Sequence, residues 1–279
     1  MVFRTCKYYC HKAILRQKCL LAMLLALAVV YIFATPVRDV CKDSGLSASM
    51  LPFFVMIGDN YIANGILFCI WIWIIENVPY KDASEDMIMI RCSHSSYVVG
   101  VILHIMALSL LYWAAILIYS FIVMMPFVEP DFGWGTLYMA LNRGAGNSSI
   151  GMGFIFSKKL QQLLTPVEAT IMSWTLHCLI SVFLGLIVCL VNSHVKSVGG
   201  SIFALVLVIF DYCFRGLGMP YAVYYFSPVS WSNLNMLDMT KTTPFPSVLY
   251  AYIGLFTLCA FTVGWLLFQK APIFRREVK

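Results

Sequence analysis

The sequence predicts an all-α polytopic membrane protein with six transmembrane helices. Of its 279 residues 61% are hydrophobic and only 11% are charged, with a mean hydropathy of +0.84, whereas soluble domains run near 25% charged. Six apolar stretches each approach the roughly 20 residues that cross a hydrocarbon core of about 30 Å. Basic residues gather at both ends, which marks the cytoplasmic side. Residues 1–279 therefore read as one transmembrane domain, with little chain left for a soluble one.

The first span is expected over about 15–35, after a basic, aromatic lead-in in which Arg4, Lys7, Lys12, Arg16 and Lys18 hold its start inside. Pro36 follows the apolar run closely and no small-residue cleavage pattern precedes it, so the segment reads as an uncleaved span rather than a signal peptide. Cys6, Cys10 and His11 sit close together on a helix. Without a second ligand pair they read as small residues of an amphipathic lead-in, since a structural metal site needs four ligands. The ten cysteines fall mostly in apolar spans and form no disulfide framework.

The second span, about 51–75, carries Asp59, Asn60 and Asn64 in its outer half. Charge at that depth is expensive, so Asp59 should face protein or water, either as a satisfied packing contact or as the lining of a substrate path. The stretch from Glu76 to Gly100 follows as a long polar interruption. Within it Met87, Ile88, Met89, Ile90 and Arg91 form a short amphipathic run among acidic residues.

The third span, about 97–125, is too long for a perpendicular helix and must tilt or project. His104 inside it reads as hydrogen-bonded packing. Residues 126–165 form a long outer excursion whose glycines, aromatics and apolar patches point to interfacial helices. Thr165-Pro166-Val167-Glu168 has the form of a capping box with proline at the first helical position, which starts the fourth span, about 166–192. In the fifth, about 201–218, Asp211 and Arg215 lie four residues apart. They share a helix face, where they either neutralise one another or flank an exit path. The aromatic, serine- and proline-containing segment up to Ser247 is expected to form short re-entrant helices on the outer face. The sixth span is expected over about 248–268, with Lys270, Arg275, Arg276 and Lys279 marking a cytoplasmic tail.

No phosphate loop, His-Glu-x-x-His pair or Gly-x-Ser-x-Gly elbow occurs. The chain therefore has no nucleotide-hydrolysing motif of that kind, no metal site is read from it, and a membrane enzyme is unsupported. No basic stripe or module points to nucleic acid, and no internal repeat of the secondary-transporter kind is visible.

The loop from Glu76 through Met87–Ile90, Arg91 and Ser93 to Gly100, together with Phe226–Leu234, resembles the bacterial permeases of the second ABC exporter class. That resemblance covers the whole topology. It implies six spans with both termini cytoplasmic in the cell membrane, and a coupling helix between spans 2 and 3 that docks a soluble ABC ATPase. It further implies a homodimer or a heterodimer with a second permease, and no cofactor on this chain, with ATP and Mg held by the ATPase. The long loop between spans 3 and 4 departs from the family's common form. The alternative from the residues alone is an integral membrane accessory, immunity or sensor protein without a path of its own.

Overall fold

The computed structural model describes residues 2–14, 17–49, 51–79, 93–128, 133–142, 158–195, 198–240 and 243–269. Among them the secondary structure is helical, with two isolated bridges and no strand. Ten α-helices follow in order: α1 Val2–Ile14, α2 Gln17–Ser44, α3 Pro52–Asp59, α4 Tyr61–Ile75, α5 His94–Met124, α6 Gly135–Asn142, α7 Lys158–Leu163, α8 Pro166–His194, α9 Gly199–Gly216 and α10 Val248–Phe268. Five of these are long and apolar enough to cross a membrane, or six spans if the bent pair α3–α4 counts as one. The protein is built to be embedded in a membrane.

Helix α8 is the centre of the bundle. It is buried along most of its length and packs on α3, α4, α5, α9 and α10. Its start is set by chemistry legible in the sequence: the Thr165 hydroxyl accepts from the Glu168 N–H, and the Glu168 carboxylate takes the Thr165 N–H at 2.8 Å. Two glycines let neighbours approach. A Cβ at Gly185 would meet Ile105 Cγ2 of α5 at 2.5 Å, and one at Gly200 would meet the Val188 carbonyl of α8 at 2.4 Å. Small residues at helix crossings do this in membranes, where packing rather than water exclusion joins helices.

Polar tips of buried aromatics staple the same helices. Trp71 Nε1 donates to the Ser181 carbonyl at 2.9 Å, Trp113 Nε1 to Ser181 Oγ at 2.6 Å, and Tyr112 Oη to the Leu67 carbonyl at 2.8 Å. With no water in the hydrocarbon, each such group needs a protein partner. The outward faces of α2, α9 and α10 are instead large and apolar, as with Leu24, Phe203, Phe256 and Phe261, and lipid is a suitable solvent for them.

Several boundaries differ from the sequence expectation, each for a local reason. Helix α1 is separate and lies along α5, so the lead-in is itself an element. Helix α2 runs through Pro36 to Ser44 rather than ending near 35. A proline inside a membrane helix removes one backbone bond, here to the Ile32 carbonyl four residues earlier, and membrane helices tolerate this where packing and local adjustment re-satisfy the freed group. The stretch expected as one second span over 51–75 is two helices meeting at 86°. Helix α5 has 31 residues, about 46 Å at 1.5 Å per residue, so in a bilayer it tilts or projects. Helix α9 stops in a Schellman turn: Gly218 takes φ +61°, Gly218 N–H reaches the Arg215 carbonyl and Met219 N–H the Phe214 carbonyl.

Candidate functional site

The break between α3 and α4 organises the site. Asn60 leaves the helical path with ψ 110°, and its side-chain oxygen accepts from Ile62 and Ala63 N–H at 3.1 and 3.0 Å. An asparagine at that point is an N-cap that starts a new helix inside an apolar stretch. The break exposes the end of α3, and the chain between α9 and α10 closes over it. That chain forms three 3-10 turns, Tyr221–Tyr225, Pro228–Ser232 and Leu234–Met236, whose inner residues Val229, Ser230, Trp231, Ser232 and Leu234 are buried.

Asp59 is the first link. Its Oδ1 accepts the Leu234 N–H at 2.8 Å, its Oδ2 accepts from Asn235 Nδ2 at 2.9 Å, and its carbonyl accepts from Asn233 Nδ2 at 2.7 Å. Three consecutive residues of the turn segment thus converge on one aspartate. Among the described residues no cation forms an ion pair with it.

Asn64, one turn into α4, is the second link. Its Nδ2 donates to Ser232 Oγ at 2.7 Å, and its Oδ1 lies 3.2 Å from His177 Nε2. Ser232 Oγ in turn donates to the Val229 carbonyl at 2.7 Å. The other ring nitrogen of His177 is 2.6 Å from the Ser173 carbonyl. The ring is fully buried among Phe54, Phe68 and Trp113, with centroids 5.8, 5.8 and 4.5 Å away. It also fills the space over Gly58, where a Cβ would meet its Cε1 at 2.7 Å. Gly58 is therefore small because α8 presents a histidine to it.

Asp211 and Arg215 form the third link. Arg215 Nε donates to Asp211 Oδ1 at 3.2 Å, and Nη2 is 3.1 Å from Oδ2, with the arginine side chain only 3% and the aspartate 7% exposed. Arg215 Nη2 also reaches the Ser230 carbonyl at 3.4 Å, and the Ser227 hydroxyl donates to Asp211. Burial raises the nearby Tyr224 phenol above its ordinary value, against the opposing pull of Arg215. Asp59, Asn64, Asp211 and Arg215 thus attach to the same Ser227–Asn235 segment, while Asn60 caps α4 beside it. Sequence reading picked out those five but not their partners. His177, Ser232, Asn233 and Asn235 were visible only as polar residues in apolar or turn surroundings, and nothing in spacing links residue 64 to residues 177 and 232.

At the opposite end of the bundle a second set of contacts anchors the exit of α4. Glu76 pairs with Lys18, and Asn192 Nδ2 donates to the Glu76 and Val78 carbonyls at 2.9 and 2.8 Å while its oxygen accepts the Gly200 N–H. Ser93 caps α5 through the Ser96 N–H. The residues expected to dock a partner, Met87, Ile88, Met89, Ile90 and Arg91, lie outside the described residues, between these two anchored ends. His104 is buried, with its Nδ1 3.3 Å from the Cys10 sulfur. Among the described residues no three His, Cys, Asp or Glu side chains gather to hold a metal ion.

No family model, curated protein or solved structure matches the chain.

Proposed function

We propose that the chain is the membrane permease subunit of an ABC exporter, moving a peptide or lipid-like substrate with ATP hydrolysed by a separate soluble ATPase. The observation that carries this reading is the helix break at Asn60, with its buried polar network, inside a stretch long enough to span the membrane. Broken membrane helices surrounded by polar groups are a recurrent way to build a path with two states. In this reading the energy source is a partner, because the sequence holds no phosphate loop of its own.

The resemblance noted at Met87–Arg91 supplies the docking element, and the fixed ends of α4 and α5 on either side of it support the role. A push on that segment reaches α4 directly, and α4 carries Asn64. In this reading both termini are cytoplasmic in the cell membrane, the turn segment faces outward and dips into the outer leaflet, and two permeases pair to enclose the path. ATP and Mg stay on the ATPase.

The test is affinity purification from native membranes. Wild-type chain is expected to bring down an ATP-hydrolysing protein, and Met87→Asp with Ile90→Asp is expected to lose it while still inserting. Equal recovery by both sinks the docking assignment. A second reading, an accessory protein without a path, draws on the mutual neutralisation of Asp211 and Arg215. It predicts that no ATPase is recovered by either form.

A further inference from the structure

The last turns of α2 carry a group of cations and aromatic rings that the site above does not use. Gly45 takes φ +64° and its N–H returns to the Cys41 carbonyl, so the helix stops there and the chain turns back. Ala48 N–H then donates to the Phe127 carbonyl at 2.9 Å, which fixes the 3-10 turn Met125–Phe127, at the end of α5, beside α2. The Phe127 ring is thereby set against two cations: Arg38 Cζ lies 5.5 Å from its centroid and Lys42 Nζ 6.0 Å. Tyr31, two turns before Arg38, flanks the same guanidinium at 5.7 Å. Both rings lie close enough to attract a cation through their faces.

The rings hold the guanidinium but do not answer its hydrogens. Among the described residues Arg38 takes part in no ion pair or hydrogen bond, and its Nε is buried without a partner. The residue as a whole is half-buried, with Nε the covered nitrogen and the fork of terminal N–H groups open. Its acidic neighbours stand to one side. Lys42 lies about 40° round the helix from Arg38, but Asp39 and Asp43 lie about 100° and 140° round it. Asp39 reaches Lys42 at 3.7 Å, with both side chains 57% exposed, a contact that water screens. A planar fork beside an ammonium suits two oxygens of one phosphate. The same side of α2 continues as an apolar surface, where Leu24, Ala28 and Tyr31 are exposed within about a quarter turn of Arg38. Ala28 is about 15 Å from Arg38 along the helix, half of a hydrocarbon core of about 30 Å. Cationic donors and apolar surface are thus separated as the headgroup and chains of a lipid are.

We propose that the end of α2 binds the phosphodiester of a phospholipid. Arg38, held between Tyr31 and Phe127, donates to two of its oxygens, Lys42 adds a third donor, and an acyl chain lies along Leu24, Ala28 and Tyr31. Because Arg38 belongs to α2 and Phe127 follows α5, a bound headgroup fastens the two spans at this end. The site rests on the embedding of the chain in a membrane and not on the transport reading.

The test is native mass spectrometry of the full-length protein released from detergent and titrated with phosphatidylglycerol. Wild type is expected to retain one lipid more tightly than any further ones. Arg38→Gln is expected to weaken that binding by at least about tenfold, because hydrogen bonds to a charged group are lost. Arg38→Lys keeps the charge without the fork and is expected to weaken it several-fold; it carries the test should Arg38→Gln not fold by size-exclusion chromatography. Lys159→Gln, a surface cation of α7, is expected to match wild type. Diacylglycerol with the same chains lacks the phosphate, and inorganic phosphate lacks the chains, so neither at equal concentration is expected to displace the lipid. Wild type without a tightly retained lipid, equal retention by wild type and the Arg38 variants, or displacement by diacylglycerol overturns the site. Displacement by inorganic phosphate overturns the lipid as its occupant.

Discussion

The joint between α4 and the Pro228–Ser232 turn can be measured through a double-mutant cycle at Asn64 and Ser232. Asn64→Ala removes the donor to Ser232 Oγ and the partner of His177 Nε2, while Ser232→Ala removes the acceptor and its own bond to the Val229 carbonyl. Each single change costs about 1–3 kcal/mol, because it leaves a buried polar group unsatisfied. The double variant removes the shared 2.7 Å bond once rather than twice. The coupling should therefore be about 0.6–2 kcal/mol, the range for side-chain hydrogen bonds between membrane helices, a factor of roughly 3 to 30 in the folding equilibrium. Both atoms are buried and the bond is short, so the upper half of that range is expected. The assay is equilibrium unfolding in mixed detergent, read by fluorescence of the seven tryptophans. Additivity within about 0.3 kcal/mol would mean the two residues do not touch, and the joint as described would be wrong.

Three further outcomes are expected. Gly200→Ala sets a methyl against the Val188 carbonyl at 2.4 Å, which cannot move without parting α9 from α8. The yield of folded protein should fall sharply by size-exclusion chromatography, while Gly264→Ala, where a Cβ meets nothing within 4 Å, should not change it. Arg215→Ala leaves Asp211 buried and unpaired and should cost about 3–5 kcal/mol, most of it recovered in Arg215→Ala with Asp211→Ala; detergent unfolding midpoints measure both. The Cys10 thiol is pushed up to about 11, first by burial and then by Cys6. At pH 8 it should alkylate about a hundredfold more slowly than a small free thiol. Because the unfolded thiol loses its proton first, this group lowers stability as pH climbs from about 9 to about 11.

What the sequence revealed follows from the range of the interactions involved. Apolar length alone placed α5, α8, α9 and α10 within a few residues, and the Thr165–Glu168 capping box fixed the start of α8 because all its parts lie within one turn. The Asp211–Arg215 pair was legible for the same reason, at four residues' spacing. The break at Asn60 was not, although Gly58, Asp59 and Asn60 stood in the sequence. An apolar run reads as one helix unless something rewards its interruption, and the reward here comes from Asn233, Leu234 and Asn235, far along the chain. His177 passed as one polar residue in an apolar span. Its role depends on Gly58, Asn64 and three aromatic rings from other helices, which no local pattern announces.

The claim that this chain is the moving partner of an ATPase is tested most directly by ATP hydrolysis in proteoliposomes. The ATPase recovered with the chain is assayed alone, with the wild-type chain, and with the Met87→Asp, Ile90→Asp variant. The account predicts that wild type changes the hydrolysis rate several-fold and that the variant, inserted to the same level, leaves it at the rate of the ATPase alone. A rate indifferent to the chain, or equal for wild type and variant, would contradict it.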